Sequence, residues 1–100
     1  MVSDPGGQEQ ERERLVLWLR GRVQGVGMRW WVRALALELG LVGSATNLPD
    51  GRVEVVAEGP RERLEALEAV LRSGSSPGSI ESVITRWGDA RADLVGFVER

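Results

Sequence analysis

A chain of 100 residues with 42% apolar content forms one domain around one core, and its net charge of −2 does not suit a general nucleic-acid binder. It contains no cysteine, so disulfide and thiolate chemistry are excluded. It contains no histidine either, which weighs against a transition-metal centre but leaves carboxylate-bound Mg²⁺ open.

Residues 1–13 are polar, with Pro5, Gly6, Gly7 and a Glu/Gln/Arg run. They have nothing to bury and no apolar stretch of the kind a secretory signal needs, so we expect a disordered tail in a cytoplasmic protein. No apolar run is long enough to span a membrane. The folded domain is expected over 14–100.

Leu15, Leu17, Leu19 and then Val23 share one face of a first strand, with Trp18 and Arg20 on the other. Trp18 is read as covering an open sheet face. A glycine-rich turn follows, Gly21-Arg22-Val23-Gln24-Gly25-Val26-Gly27-Met28-Arg29, and opens into a helix running to Leu39. A turn of this kind often does no more than reverse the chain. It can also aim backbone N–H groups and a helix dipole at one anion, with Arg29 adding a guanidinium that grips phosphate through two parallel bonds. Two common nucleotide motifs do not fit, since the chain has no lysine and Trp30 stands where the third glycine of G-x-G-x-x-G would be. From Arg14 to Arg33 there are five arginines and no acid, a local positive patch; Arg14 and Arg33 themselves are read as solvated.

In the helix, Met28, Val32, Leu35, Ala36 and Leu39 recur at helical spacing as a core stripe, and Gly40 suits the left-handed position that ends it. Trp30 and Trp31 are adjacent and cannot both face the core, so one lies near the loop; packing is the first reading for both. A second strand is expected over Leu41 to Asn47. Leu48-Pro49-Asp50-Gly51 is a hairpin signal, and Val53, Val55 and Ala57 give the third strand its core face. Pro60 starts a second helix with Leu64, Leu67, Val70 and Leu71 buried. A Ser/Gly/Pro loop, a strand from Ile80 to Trp87, a turn and a short strand from Leu94 to Val98 complete the chain. This order gives an α+β, ferredoxin-like βαββαβ sandwich, an antiparallel sheet with two helices on one face. The fold by itself implies no function.

Asn47 ends the second strand. Taken alone it is a turn residue, but this topology can bring a strand end to the start of the first helix, where an amide both donates to and accepts from a water.

The loop from Gly21 to Arg29 resembles the first signature of the acylphosphatase family, with Met28 where Phe is usual. Gly43, Asn47, Gly51, Val53 and Gly59 resemble its second signature at matching spacing, with Ser44 in place of an aromatic and Thr46 in place of a longer residue. Gly96-Phe97-Val98 is similar to the family's last strand. The resemblance implies metal-independent hydrolysis of the carboxyl–phosphate bond of a small-molecule acyl phosphate. It implies that Arg29 and the backbone of Gln24, Gly25, Val26, Gly27 and Met28 bind the phosphoryl group, and that Asn47 positions the attacking water. No metal, cofactor, nucleic-acid or membrane partner is expected, and the chain is expected to be a monomer. The alternative is a module of the same fold that holds an anion or a carbamoyl-phosphate-like ligand without turning it over. The substrate's own phosphate oxygen is the expected acceptor for the water's proton, with Asp50 or Glu54 as the other possibility.

Overall fold

Leucine at every second position, alternating with Val16, Trp18 and Arg20, lays down the first strand, β1 (Glu13–Arg22), whose Leu15, Leu17 and Leu19 are fully buried in the computed structural model. The structure describes residues 11–100. Residues 1–10 of the expected tail lie outside that range, whereas Glu13 already pairs with Gly59 and Asp89. Then follow α1 (Met28–Glu38), β2 (Val42–Asn47), β3 (Val53–Gly59), α2 (Arg61–Arg72), β4 (Ser79–Asp89) and β5 (Phe97–Glu99).

The strands form one sheet in the order β4-β1-β3-β2-β5. The β1–β3, β1–β4 and β2–β3 pairs are antiparallel, as expected. The fifth strand is not: β5 lies parallel to β2, with Gly43, Ser44 and Ala45 opposite Phe97, Val98 and Glu99, so the sheet is mixed. After β4 the chain crosses the end of the sheet before it can pair again, and it therefore runs along β2 in the same direction.

Met28, Val32 and Ala36 of α1 and Leu64, Leu67 and Leu71 of α2 join the core faces of β1 and β3 in one buried cluster. Fully burying each leucine contributes roughly 1.5–3 kcal/mol. Leu35 and Leu39 are only partly buried, packing on the cluster's margin. Helix α1 lies over β2 and β5, and α2 over β1, β3 and β4. Gly40 ends α1 at φ 73°, with its N–H bonded to Leu37 and the Leu41 N–H bonded to Ala36. This satisfies two carbonyls of the last turn and buries Leu41 behind it.

The far end of the sheet is held by a buried acid. Glu58 is 1% exposed and accepts hydrogen bonds from Arg14 Nη1 at 2.8 Å, the Arg91 N–H at 3.0 Å and the Ala92 N–H at 3.1 Å. Burial pushes its carboxyl up. The Arg91 N–H, the Arg14 guanidinium and the Ala92 N–H together outweigh that and hold it below the ordinary value. Arg14 is therefore an ion-pair partner, not the solvated arginine expected. The interaction pins the crossing segment that leads into β5.

Candidate active site

Two glycines shape the loop between β1 and α1. Gly25 and Gly27 take φ 74° and 82°, the left-handed region where a side chain on the residue is strained. Gly27 is also the N-cap of α1 and has no side chain to cap it, and the first turn holds no acid. The opening N–H groups of the helix therefore lack both an intrahelical acceptor and a side-chain acceptor. That leaves donors and the positive end of the helix dipole facing outward.

A cavity of about 100 Å³ opens there, lined by Val23, Gly25, Gly27, Met28, Arg29, Trp30, Asn47 and Glu99. Of the residues expected at the site, Gly25, Gly27, Met28, Arg29 and Asn47 meet at this cavity. Gln24 and Val26 do not line it. The side chain of Gln24 turns away and donates to the carbonyls of Leu48 at 2.8 Å and Arg52 at 3.0 Å, tying the loop to the β2–β3 turn. Val26 packs on the core.

Asn47 is the last residue of β2 and reaches the cavity because alternate residues, Gly43 and Ala45, face the helices with it. Its Oδ1 is buried and accepts no hydrogen bond from the described residues. An unpaired buried acceptor costs about 1–3 kcal/mol, so such atoms mark places where something else binds.

Arg29 donates from Nη1 to the backbone oxygen of Arg100 at 2.8 Å. The Asn47 N–H approaches the same oxygen at 3.5 Å. One backbone oxygen thus lies within reach of both residues. The other donors of Arg29 have no acceptor among the described residues. One turn further along α1, Arg33 Nε donates to the carbonyl of Phe97 at 2.9 Å. Arg33 clips β5 to the helix, which corrects its reading as a solvated side chain. The five arginines do not gather into a single patch. Of them only Arg29 lines the cavity, while Arg14 pairs at the other end of the sheet and Arg20 lies beside Asp50, Arg52 and Glu81.

Asp50 and Glu54, the carboxylates considered as proton acceptors, are both elsewhere. Asp50 accepts from the Arg52 N–H at 3.1 Å and pairs with Arg52 Nε at 2.8 Å. The backbone bond foremost, then the guanidinium, holds its carboxyl below the usual range. Glu54 accepts from Trp18 Nε1 at 3.0 Å on the sheet face away from the helices, the face Trp18 was expected to cover. The carboxylate at the cavity is instead Glu99. Nothing in local sequence marks it, because it arrives through the parallel pairing of β5 with β2.

Comparison with known proteins agrees with this geometry. The acylphosphatase family model matches residues 15–98. The acylphosphatase of Rhodococcus jostii is 61% identical over 88 residues, covering 88% of this chain and 99% of that protein. The acylphosphatase of Saccharopolyspora erythraea is 59% identical over 100 residues, covering all of both chains. The crystal structure of acylphosphatase from Bacillus subtilis superposes with a TM-score of 0.82 at 27% identity, over 88% of this chain and 98% of that one. With a family model that spans residues 15–98 and full-length relatives at such identity, the chain belongs to the acylphosphatase family.

Proposed function

We propose that the cavity between the glycine loop, Arg29 and Asn47 is where this acylphosphatase cleaves the carboxyl–phosphate bond of small acyl phosphates. The buried, unpaired Oδ1 of Asn47 beside an uncapped helix N-terminus carries the reading. The helix end and Arg29 offer donors to an anion, while Asn47 offers an acceptor, which suits the hydrogen of a water and not a phosphate oxygen.

In this reading the backbone N–H groups of Gly25, Gly27 and Met28, which line the cavity, and the guanidinium of Arg29 hold the phosphoryl oxygens. Oδ1 of Asn47 accepts one hydrogen of a water and turns the oxygen lone pair toward phosphorus. The new P–O bond forms as the P–O bond to the acyl oxygen breaks. The leaving group is a carboxylate and needs no protonation, and the water's proton passes to a phosphate oxygen. Catalysis then rests on positioning and on stabilising charge that the donors already face. This chemistry asks for no histidine, cysteine or lysine. The reading includes no metal and no cofactor. We read the chain as a cytoplasmic monomer; no helix of the described residues is long and apolar enough to cross a membrane.

The test is hydrolysis of acetyl phosphate in EDTA by the parent, Arg29→Ala and Asn47→Ala. Arg29→Ala is expected to lose at least 10²–10³ in kcat/KM, the cost of one preorganised donor to developing charge. Asn47→Ala is expected to lose kcat with KM nearly unchanged. A folded parent that turns nothing over in EDTA contradicts metal independence. Undiminished kcat in Asn47→Ala contradicts its role.

A further inference from the structure

We infer that Trp30 and Glu99 form the acyl-group subsite of this enzyme, selecting an apolar, uncharged acyl chain. The inference rests on the placement of the phosphoryl group proposed above. A cavity of about 100 Å³ is small beside the roughly 300–1,000 Å³ of usual ligand pockets, so it takes the phosphoryl end and leaves the acyl chain at the mouth.

Trp30 stands at that mouth. Its neighbour Trp31 turns inward and packs against the core, as adjacent residues on a helix must diverge. Trp30 is 61% exposed, with a large apolar ring left against solvent directly after Arg29. The other exposed large apolar side chains among the described residues, Leu37, Ile84, Val95 and Val98, do not line the cavity. A ring fixed on a helix offers a rigid face at low entropic cost, and an aromatic acyl group laid on it gains offset stacking.

Glu99 lines the same cavity. It follows Phe97 by two residues in β5, so it faces the same side of the sheet as that core residue, beside Ala45 and toward α1. Its charge repels any second negative charge carried by the acyl group. Repulsion from the phosphoryl group itself is common to all substrates and cancels when substrates are compared.

The experiment measures kcat/KM for benzoyl, acetyl and succinyl phosphate at low salt in the parent, Trp30→Ala, Trp30→Phe and Glu99→Gln. Trp30→Ala is expected to lower the benzoyl-to-acetyl ratio about 2–10-fold through KM, and Trp30→Phe to restore most of it. Glu99→Gln is expected to raise the succinyl-to-acetyl ratio about 3-fold, an effect that fades at 0.5 M salt. A benzoyl-to-acetyl ratio unchanged in Trp30→Ala overturns the platform. A succinyl-to-acetyl ratio unchanged in Glu99→Gln overturns the charge filter. Arg29→Ala assayed on acetyl phosphate separates these failures from a misplaced phosphoryl site, since full activity there would move the site itself.

Discussion

Gln24 offers the sharpest test of how the site is held. Its side-chain amide bonds the carbonyls of Leu48 and Arg52, so it joins the glycine loop to the turn that follows Asn47. Gln24→Met keeps the length and removes both bonds. Neither carbonyl is orphaned, because Leu48 O still accepts from the Gly51 N–H at 3.1 Å and Arg52 O from the Leu48 N–H at 2.8 Å. The cost is therefore two net hydrogen bonds at about 1 kcal/mol each, ~2 kcal/mol in total. For a domain of this size that lowers Tm by roughly 8–16 °C. Gln24→Glu sets a carboxylate against two carbonyl oxygens and is expected to be less stable still at neutral pH. The gap between Glu and Met narrows below about pH 4–5, where the protonated acid can donate one bond. Urea denaturation read by tryptophan fluorescence gives the stability, and acetyl phosphate turnover reports the site. In Gln24→Met, kcat is expected to fall several-fold as the loop and Asn47 lose their common brace. A Gln24→Met variant with the parent's urea midpoint and the parent's kcat would refute this account of the amide.

Glu58 predicts acid sensitivity. Its carboxyl is depressed in the folded state, so its stabilisation is fully present above the ordinary value of 4.5 and lost as pH falls through the lower folded value. Glu58→Gln is expected to cost about 1.5–3 kcal/mol at pH 7 and to flatten the fall in stability below pH 4.5. Parallel pH profiles for parent and variant would contradict the assignment. Gly43 is held at φ 151°, and a β-carbon there would strike the carbonyl of Val56 on the paired strand. Gly43→Ala is expected to lose about 2–5 kcal/mol by thermal denaturation, and a loss under 0.5 kcal/mol would show that β2 can shift aside.

Much of this protein could be read from local pattern. The leucines of β1 and the stripe of α1 declare their periods because burial on one face selects apolar residues at spacing two or 3.6. Gly40 and the Pro49-Asp50-Gly51 turn declare themselves because few residues tolerate those backbone angles. Arg29 and Asn47 were legible through two signatures whose glycines mark positions where a side chain would clash or strain. Charge was far less legible. Arg14 and Arg33 carry the same guanidinium as Arg29, yet one pairs with Glu58 and the other bonds the backbone of Phe97. An arginine's partner is set by what the fold brings within its reach, and nothing in the neighbouring residues records that. Gln24 shows the same limit, since the loop's curvature alone sends its amide to the hairpin and away from the cavity.

The elements and their order could be read from the residues, because each depends on contacts within a few positions, whereas Arg29 and Asn47 stood out as candidates only through their resemblance to the family's two signatures. Long-range packing, in contrast, sets β5 parallel to β2, and so carries Glu99 to the mouth of the cavity and Arg100 under Arg29. Those contacts join residues about fifty to seventy positions apart. They follow from how the sheet closes around its core, which no local pattern encodes.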